Sequence, residues 1–276
     1  MVKPEPVSTR SVGSAPGSLV IGSTLALLVG ASIMILLHET SHAVAGALLG
    51  YVPTQVPFAV GYAPEPPPDA EAIAAITGPI FSLLSGLVGF AVDVAVRPFR
   101  SQPFWRLAWL WTIFLSIQEA IGYFAVVGIL PAGDTAVAFD AWGVPGWGYI
   151  VATMLGIGAM FANGWLFSRP LIAMTTSMKE KYALAFWPWI AGTVLFGLLM
   201  TLYVLLTPGV DEAAVIAVLA AVPGAAVFAP ISFMFGTNRF EGAAPVELPK
   251  RPIPGLILLG VLVVVNLVLT RGRLWG

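Results

Sequence analysis

The chain has 276 residues, of which 58% are hydrophobic and only 10% are charged, and its formal net charge is −1. Soluble globular domains carry about a quarter charged residues, so this chain has too little charge to cover a water-exposed surface. The near-neutral charge provides no basic field for nucleic acid, and we expect no nucleic-acid partner. The chain contains no cysteine, so a metal site would have to use His, Asp, Glu or backbone oxygen.

Apolar segments along the chain predict an all-α, polytopic integral membrane protein with six or seven transmembrane helices in contact with the lipid bilayer. Residues 1–18 are rich in Pro, Ser and Gly and are expected to form a disordered tail. An apolar run of roughly 18 residues with few charges is long enough to cross a bilayer as a helix. The predicted spans are Leu19–Gly50, Ala70–Val96, Phe104–Leu130, Gly146–Phe167, Ala183–Leu206, Ala213–Phe235 and Ile253–Thr270.

Lys and Arg in the connections predict a cytoplasmic N-terminus, because cytoplasmic loops carry an excess of both residues. In this orientation the outer side holds only Arg271 and Arg273. The inner side holds Lys3, Arg10, Arg97, Arg100, Arg106, Arg169, Lys179, Lys181, Arg239, Lys250 and Arg251. Asp93 stands four residues before Arg97 and is expected to pair with it near the inner face. The longest early connection, residues 51–69 with its six prolines, leaves no room for a soluble domain.

The two histidines of the chain lie one helical turn apart in the first predicted span, within His38-Glu39-Thr40-Ser41-His42. Residues i and i+4 share one face of a helix, so both imidazoles can bind a single zinc ion. Glu39 points about 100° away around the helix and can act as general base on a metal-bound water. Buried polar residues bonded to neighbouring helices are the alternative interpretation, but ionisable groups within a span are costly and usually functional.

A catalytic zinc site has three protein ligands and one open position, so an acidic side chain must complete this one. Setting aside the aspartates at the ends of spans leaves Asp134 and Asp140. Asp134 is the better candidate, because it follows the helix-breaking Pro131-Ala132-Gly133 and can turn back toward the first span. The alternative role for Asp134 is to cap the next short helix.

Glu119 is the second candidate for the third ligand. It lies in mid-span, in Ile117-Gln118-Glu119-Ala120, about 16 Å inside the outer end of the third span by helical rise. This depth matches that of the two histidines at least as well as Asp134 does. Glu119 can also be a hydrogen-bond partner of a ligand histidine, or part of a polar water path. The residues alone leave the choice between Asp134 and Glu119 open.

Three motifs, in this order, resemble those of the site-2 protease family of intramembrane zinc metalloproteases. The first is His38-Glu39-Thr40-Ser41-His42, followed by the small-residue stretch Ala43–Gly50. The second, Gly78-Pro79-Ile80-Phe81-Ser82, is similar to the Gly-Pro-x-x-Asn of the family. The third, Leu130-Pro131-Ala132-Gly133-Asp134, stands where the family has the Asp-Gly motif that supplies the last ligand. The likeness divides the chain into a three-helix metalloprotease core, residues 19–140, and accessory transmembrane helices, residues 141–276.

The resemblance implies one zinc ion per chain, held by His38, His42 and Asp134, with Glu39 as the general base. Members of the family cleave peptide bonds within or next to the membrane helices of other proteins, often to release regulators. The implied partner is therefore the transmembrane helix of a membrane-protein substrate. Loop charges put the site toward the outer face, whereas many bacterial members of the family work nearer the cytoplasm.

The resemblance also implies that Gly78, Pro79 and Ser82 contact the substrate. The chain departs from the family at two of these motif positions. Ser82 stands where the family has Asn, and Thr135 follows Asp134 where the family has Gly. These departures concern the binding of the substrate strand more than the binding of the metal.

Two other functions are compatible with the same residues. A membrane scaffold could retain the metal site without proteolysis. A transporter could use Glu119, Asp134 and the histidines as a cation or proton path, since acids inside a membrane often serve one. The sequence contains no internal repeat of the kind that transporters often have, which counts against the transporter.

Overall fold

The computed structural model describes residues 16–210, 215, 218, 246–249 and 252–274. Five helices in these residues are long and apolar enough to cross a membrane, so the expected helical membrane architecture is confirmed. They are α1 (Pro16–Leu48), α2 (Pro68–Val96), α3 (Pro103–Val127), α5 (Gly146–Ile172), and a fifth that begins as α6 (Met178–Lys181), passes through a π-helical turn (Tyr182–Phe186) and continues as α7 (Trp187–Leu206). A short helix, α4 (Asp134–Ala141), follows α3, and a shorter apolar helix, α8 (Ile253–Leu269), follows α7.

These helices match six of the predicted spans closely. The predicted sixth span, Ala213–Phe235, lies outside the described residues except for positions 215 and 218. The predicted N-terminal tail also lies outside them up to residue 15, and α1 already begins at Pro16. Prolines in the first turns of α2 and α3 fit their positions, because the first turn needs no backbone N–H from them.

A small antiparallel sheet, which the sequence did not predict, covers one end of α1. Strand β1 (Val52–Val56) pairs with β2 (Ala59–Ala63) in a tight hairpin. On its other edge, β1 pairs with the short strand β3 (Arg273–Leu274), which gives the order β2-β1-β3. The end of α1 and the end of α8 therefore lie at the same end of the bundle.

Helix α3 is central to the packing, and it contacts α1, α2, α4 and α5. Polar contacts buried in the apolar core fix the position of α3 along α1. The Trp111 indole donates a hydrogen bond to Ser23 Oγ (3.0 Å), and the Ser23 hydroxyl donates to the Leu184 carbonyl (2.6 Å) in the π-helical turn. Buried polar groups need such partners in a membrane, so these bonds define how α1, α3 and the fifth helix align.

The sequence predicted that Asp93 pairs with Arg97, and the structure shows that this prediction is wrong. The Asp93 carboxylate accepts hydrogen bonds from the Arg106 guanidinium and from the Trp109 indole, both on α3. Arg97 instead ends α2 in the left-handed conformation (φ 51°), and its backbone N–H donates to the Asp93 carbonyl. Helix α2 ends at Val96, so Asp93 and Arg97 do not share a helical face. The ion pair between Asp93 and Arg106 instead joins α2 to α3.

The crossing of α3 and α5 generates a prediction about packing. A Cβ atom added to Gly156 would lie 2.7 Å from the backbone Cα of Ala125, whereas one added to Gly158 would meet nothing within 4 Å. We expect Gly156→Ala to destabilise the protein by about 1–3 kcal/mol, because backbone cannot yield as a side chain can. Thermal unfolding in detergent, with Gly158→Ala as the matched control, measures the difference. Equal unfolding temperatures for the two variants would contradict the observed crossing.

Candidate metal centre

Three side chains from two helices converge on one point. His38 and His42 come from α1, and Asp134 is the first residue of α4. Asp134 Oδ2 lies 3.2 Å from the Nε2 atom of each histidine, and the two Nε2 atoms are 3.0 Å apart. The three residues offer ligand atoms that all lie within 4.8 Å of one another. This buried group could bind a metal ion.

His42 is held in the tautomer that a metal ligand needs. Its Nδ1 lies 2.8 Å from the Ala74 carbonyl oxygen of α2. A carbonyl oxygen only accepts hydrogen bonds, so Nδ1 must carry the proton and donate. In the neutral ring this leaves the lone pair on Nε2, the nitrogen that faces His38 and Asp134.

His38 is fully buried, and its Nδ1 faces two polar side chains. Ser82 Oγ of α2 lies 3.1 Å away, and Glu119 Oε1 of α3 lies 3.0 Å away. Glu119 therefore stands at the ring nitrogen opposite the one that faces Asp134. The structure therefore groups Asp134, and not Glu119, with the two Nε2 atoms, whereas the buried Glu119 carboxylate lies beside the His38 Nδ1 and neither of its oxygens makes a hydrogen bond.

The Gly78-Pro79 motif contacts the histidines directly. Ala74, Gly78 and Ser82 repeat every four residues, so they share one face of α2, and this face lies against His42 and His38. A Cβ atom on Gly78 would overlap the His42 ring and lie 2.7 Å from His38 Cε1. Pro79 lies inside α2, which continues through it. Because proline has no N–H, Pro79 cannot donate to the carbonyl of Ala75, four residues earlier.

Asp134 directs its carboxylate to the two histidines, and the residue before it, Gly133, is the N-cap of α4 without a side-chain cap. Burial opposes ionisation of this carboxyl, but the two neighbouring histidines outweigh burial and hold the pKa of Asp134 well below its usual range. It is therefore an anion at neutral pH, as a ligand must be. Asp140, the other aspartate considered, is instead a hydrogen-bond acceptor of Tyr149.

Glu39 is buried, with 5% of its surface exposed, and it is not one of the three converging side chains. It follows His38 directly in α1. The carboxylate is thus close to the site without being one of the three donors, an arrangement that leaves it free for proton transfer.

Two residues of the β1–β2 hairpin donate hydrogen bonds to the His38–His42 motif. The sequence identified neither of them. The Tyr62 hydroxyl of β2 donates to the His42 carbonyl oxygen (3.2 Å), and the Gln55 amide of β1 donates to Thr40 Oγ1 (3.3 Å). Burial, followed by the nearby charges of Glu39 and Asp134, raises the pKa of Tyr62, so its hydroxyl stays protonated. The buried positions of β1 are Pro53 and Gln55, so its sequence has no hydrophobic alternation that could have indicated a strand.

No protein-family model, curated protein or solved structure matches the chain. The functional interpretation therefore rests on the geometry of the site and on the motifs.

The space at Gly78 generates the second prediction. Gly78→Ala should lower the affinity for Zn²⁺ at least about tenfold, because ligands must be held within about 0.5 Å of their working geometry. Isothermal titration of detergent-purified protein with Zn²⁺ measures the affinity. Gly260→Ala is the control, since a Cβ atom there meets nothing within 4 Å. Unchanged affinity in Gly78→Ala would refute the steric role of this residue.

The contact between Glu119 and His38 generates the third prediction. Glu119→Gln removes the negative charge beside the His38 Nδ1 and should weaken Zn²⁺ binding about 10–100-fold, the usual effect of losing a carboxylate next to a ligand histidine. The protein should still bind one ion, because the three donors remain. Glu65→Gln removes an exposed carboxylate and should change nothing. Complete loss of binding in Glu119→Gln, with the fold intact by circular dichroism, would instead indicate that Glu119 is itself a ligand.

Proposed function

We propose that this protein is an intramembrane zinc metalloprotease, which hydrolyses peptide bonds in or near the transmembrane segments of membrane-protein substrates. The observation that carries the proposal is the spacing of the donor atoms. Ligands bound to zinc at about 2.0–2.1 Å in a tetrahedron are about 3.3 Å apart. The separations between His38, His42 and Asp134 are 3.0, 3.2 and 3.2 Å.

The chemistry of the donor set also fits zinc. Two neutral imidazoles and one carboxylate are a common set in catalytic zinc sites, and three protein ligands leave one position open. Gly78 supports the proposal as well, because the absence of a side chain there leaves room for both rings. His38, His42 and Asp134 would hold the ion. A bound zinc ion would polarise the scissile carbonyl and lower the pKa of a water molecule.

Glu39 would perform the proton transfers of the reaction. Its carboxylate accepts a proton from the attacking water as the oxygen forms a bond to the carbonyl carbon. The same proton then passes to the leaving nitrogen as the peptide C–N bond breaks, so Glu39 ends the cycle unprotonated. Its burial excludes bulk solvent from the transfer.

The hairpin is the candidate for contact with the substrate backbone. A transmembrane helix must unwind at the bond to be cut, and an extended peptide can then add to an open sheet edge. In the described residues, β2 pairs only on the side of β1, and its Tyr62 contacts the metal motif. Substrate contacts from Gly78, Pro79 and Ser82, which the resemblance implies, remain part of the proposal, although Gly78 and Ser82 already contact the histidines.

The substitution Glu39→Gln tests the proposed function. The variant should keep about one zinc per chain and lose at least about 100-fold in cleavage rate, because the proton acceptor is gone. Metal content is measured by elemental analysis. Cleavage is followed by mass spectrometry on a set of transmembrane-segment peptides in the same detergent.

The controls separate the metal site from the chemistry. His42→Ala and Asp134→Ala should lose both zinc and cleavage, whereas Glu65→Gln should lose neither. Zinc in the wild type without cleavage of any peptide would favour a metal-binding membrane scaffold. Absence of zinc from folded wild-type protein loaded with Zn²⁺ would refute the proposal, and cation flux in liposomes would then be the next measurement.

A further inference from the structure

The small-residue stretch Ala43–Gly50 follows the histidine motif, and the proposed function does not use it. Its last residue, Gly50, adopts φ 91° and ends α1 in a tight reversal. In this reversal the Tyr51 N–H donates to the Gly46 carbonyl (3.0 Å), and the Gly50 N–H donates to the Ala47 carbonyl (3.1 Å). This pair of bonds, with a glycine in the left-handed conformation, is a common end of a helix. The chain therefore turns back, and β1 packs against α1.

Tyr62 of β2 lies on the face of α1 that carries the two histidines. His38, His42 and Gly46 are spaced at intervals of four residues, so they share this face. A Cβ atom on Gly46 would overlap the Tyr62 ring and lie 2.7 Å from its Cδ1. The Tyr62 hydroxyl donates to the His42 carbonyl oxygen (3.2 Å). The ring therefore lies over Gly46, whose missing side chain leaves the space, and the hydroxyl reaches the turn that carries His42.

This hydrogen bond joins β2 to α1 without disrupting the helix. In an α-helix the His42 carbonyl accepts from the N–H four residues later, that of Gly46. A carbonyl oxygen has two lone pairs, so it can accept the tyrosine hydroxyl as a second donor. Tyr62 is not one of the three converging donors of the candidate metal centre. Its contacts are with the backbone of α1, and its loss should leave those donors in place.

Strand β2 presents the backbone of Tyr62 at its open edge. Val56 and Ala59 pair across a two-residue loop, and such a closing pair is hydrogen-bonded. Hydrogen-bonded and non-hydrogen-bonded pairs then alternate along the hairpin. Tyr62 and Pro53 form a pair of the second kind, so the N–H and carbonyl of Tyr62 point away from β1. In the described residues β2 pairs only with β1, and Tyr62 therefore links the open edge to the histidine face of α1.

We infer that Tyr62 is a positioning residue for the substrate, which holds the open edge of β2 on the histidine face of α1. Gly46 provides the space that this contact needs. The inference rests on the proposed function, in which an unwound substrate segment adds to this edge. Tyr62 acts through the placement of β2 and supplies no atom to the metal. Its loss should therefore raise KM and leave kcat and zinc content unchanged.

Tyr62→Phe tests the inference, because it keeps the ring and removes only the hydroxyl. KM for transmembrane-segment peptides should rise about threefold to tenfold, the factor expected for loss of one hydrogen bond. Initial-rate kinetics in detergent measure KM and kcat, and elemental analysis measures zinc. Tyr149→Phe is the matched control, because it removes a tyrosine hydroxyl that donates to Asp140. It should leave all three quantities unchanged.

A pair of glycine variants on α1 tests the same contact from the other side. Gly46→Ala adds an atom against the Tyr62 ring, whereas a Cβ atom on Gly17 meets nothing within 4 Å. Gly46→Ala should raise KM about tenfold, because the ring must move, and Gly17→Ala should not. In a Tyr62→Ala background, Gly46→Ala should give no further rise, since the ring is absent. An equal rise with and without the ring would overturn the inference.

The outcomes separate this inference from the proposed function. Wild-type protein that cleaves no peptide would overturn the proposed function and the inference together. Cleavage by the wild type, with the same KM in Tyr62→Phe and Gly46→Ala, would overturn the role of Tyr62 alone. Loss of zinc or of kcat at constant KM would also overturn it, because Tyr62 would then act on the metal ligands. If Gly46→Ala fails to fold, Tyr62→Phe still decides between these results.

Discussion

The rest of the structure depends on how polar groups are paired inside an apolar helix bundle. Two imidazoles and three carboxylates, those of Glu39, Glu119 and Asp134, lie at one site in an apolar bundle. An unsatisfied polar group in hydrocarbon costs several kcal/mol, so each ring nitrogen must face a partner. Each Nδ1 faces a neighbouring helix, and each Nε2 faces the shared site. The Nδ1 atoms therefore contribute to the packing of α1 against its neighbouring helices, and the Nε2 atoms contribute to the candidate metal centre.

The face of α2 that meets the histidines combines three requirements in nine residues. Ala74 supplies a backbone acceptor, Gly78 supplies space, and Ser82 supplies a side-chain oxygen, at intervals of one helical turn. The Gly-Pro motif therefore has a structural explanation in its contacts with the two histidines, in addition to any contact with a substrate. A substitution in this motif is expected first to alter the positions of the two histidine rings.

Helix α3 and the hairpin complete the site from opposite directions. Glu119 and Tyr123 contact His38 from α3, and Tyr62 and Gln55 hold the end of α1 from the sheet. Because β3 pairs with β1, the end of α8 is tied to the same sheet. Residues near position 274 thus contribute to the surroundings of the motif, although more than 200 residues separate the two in the sequence.

The sequence by itself determined the membrane helices and the histidine pair, because hydrophobic length and helical spacing are local properties. It also indicated Asp134 and Glu119 as the relevant acids, since ionisable groups near spans are few. Only the tertiary structure distinguished their positions, because it shows which ring nitrogen of His38 each carboxylate faces. Likewise, the sequence did not predict the partner of Asp93, the sheet or the contacts of Tyr123, and only the tertiary structure shows them. Each joins residues distant in the chain, whose proximity depends on helix packing.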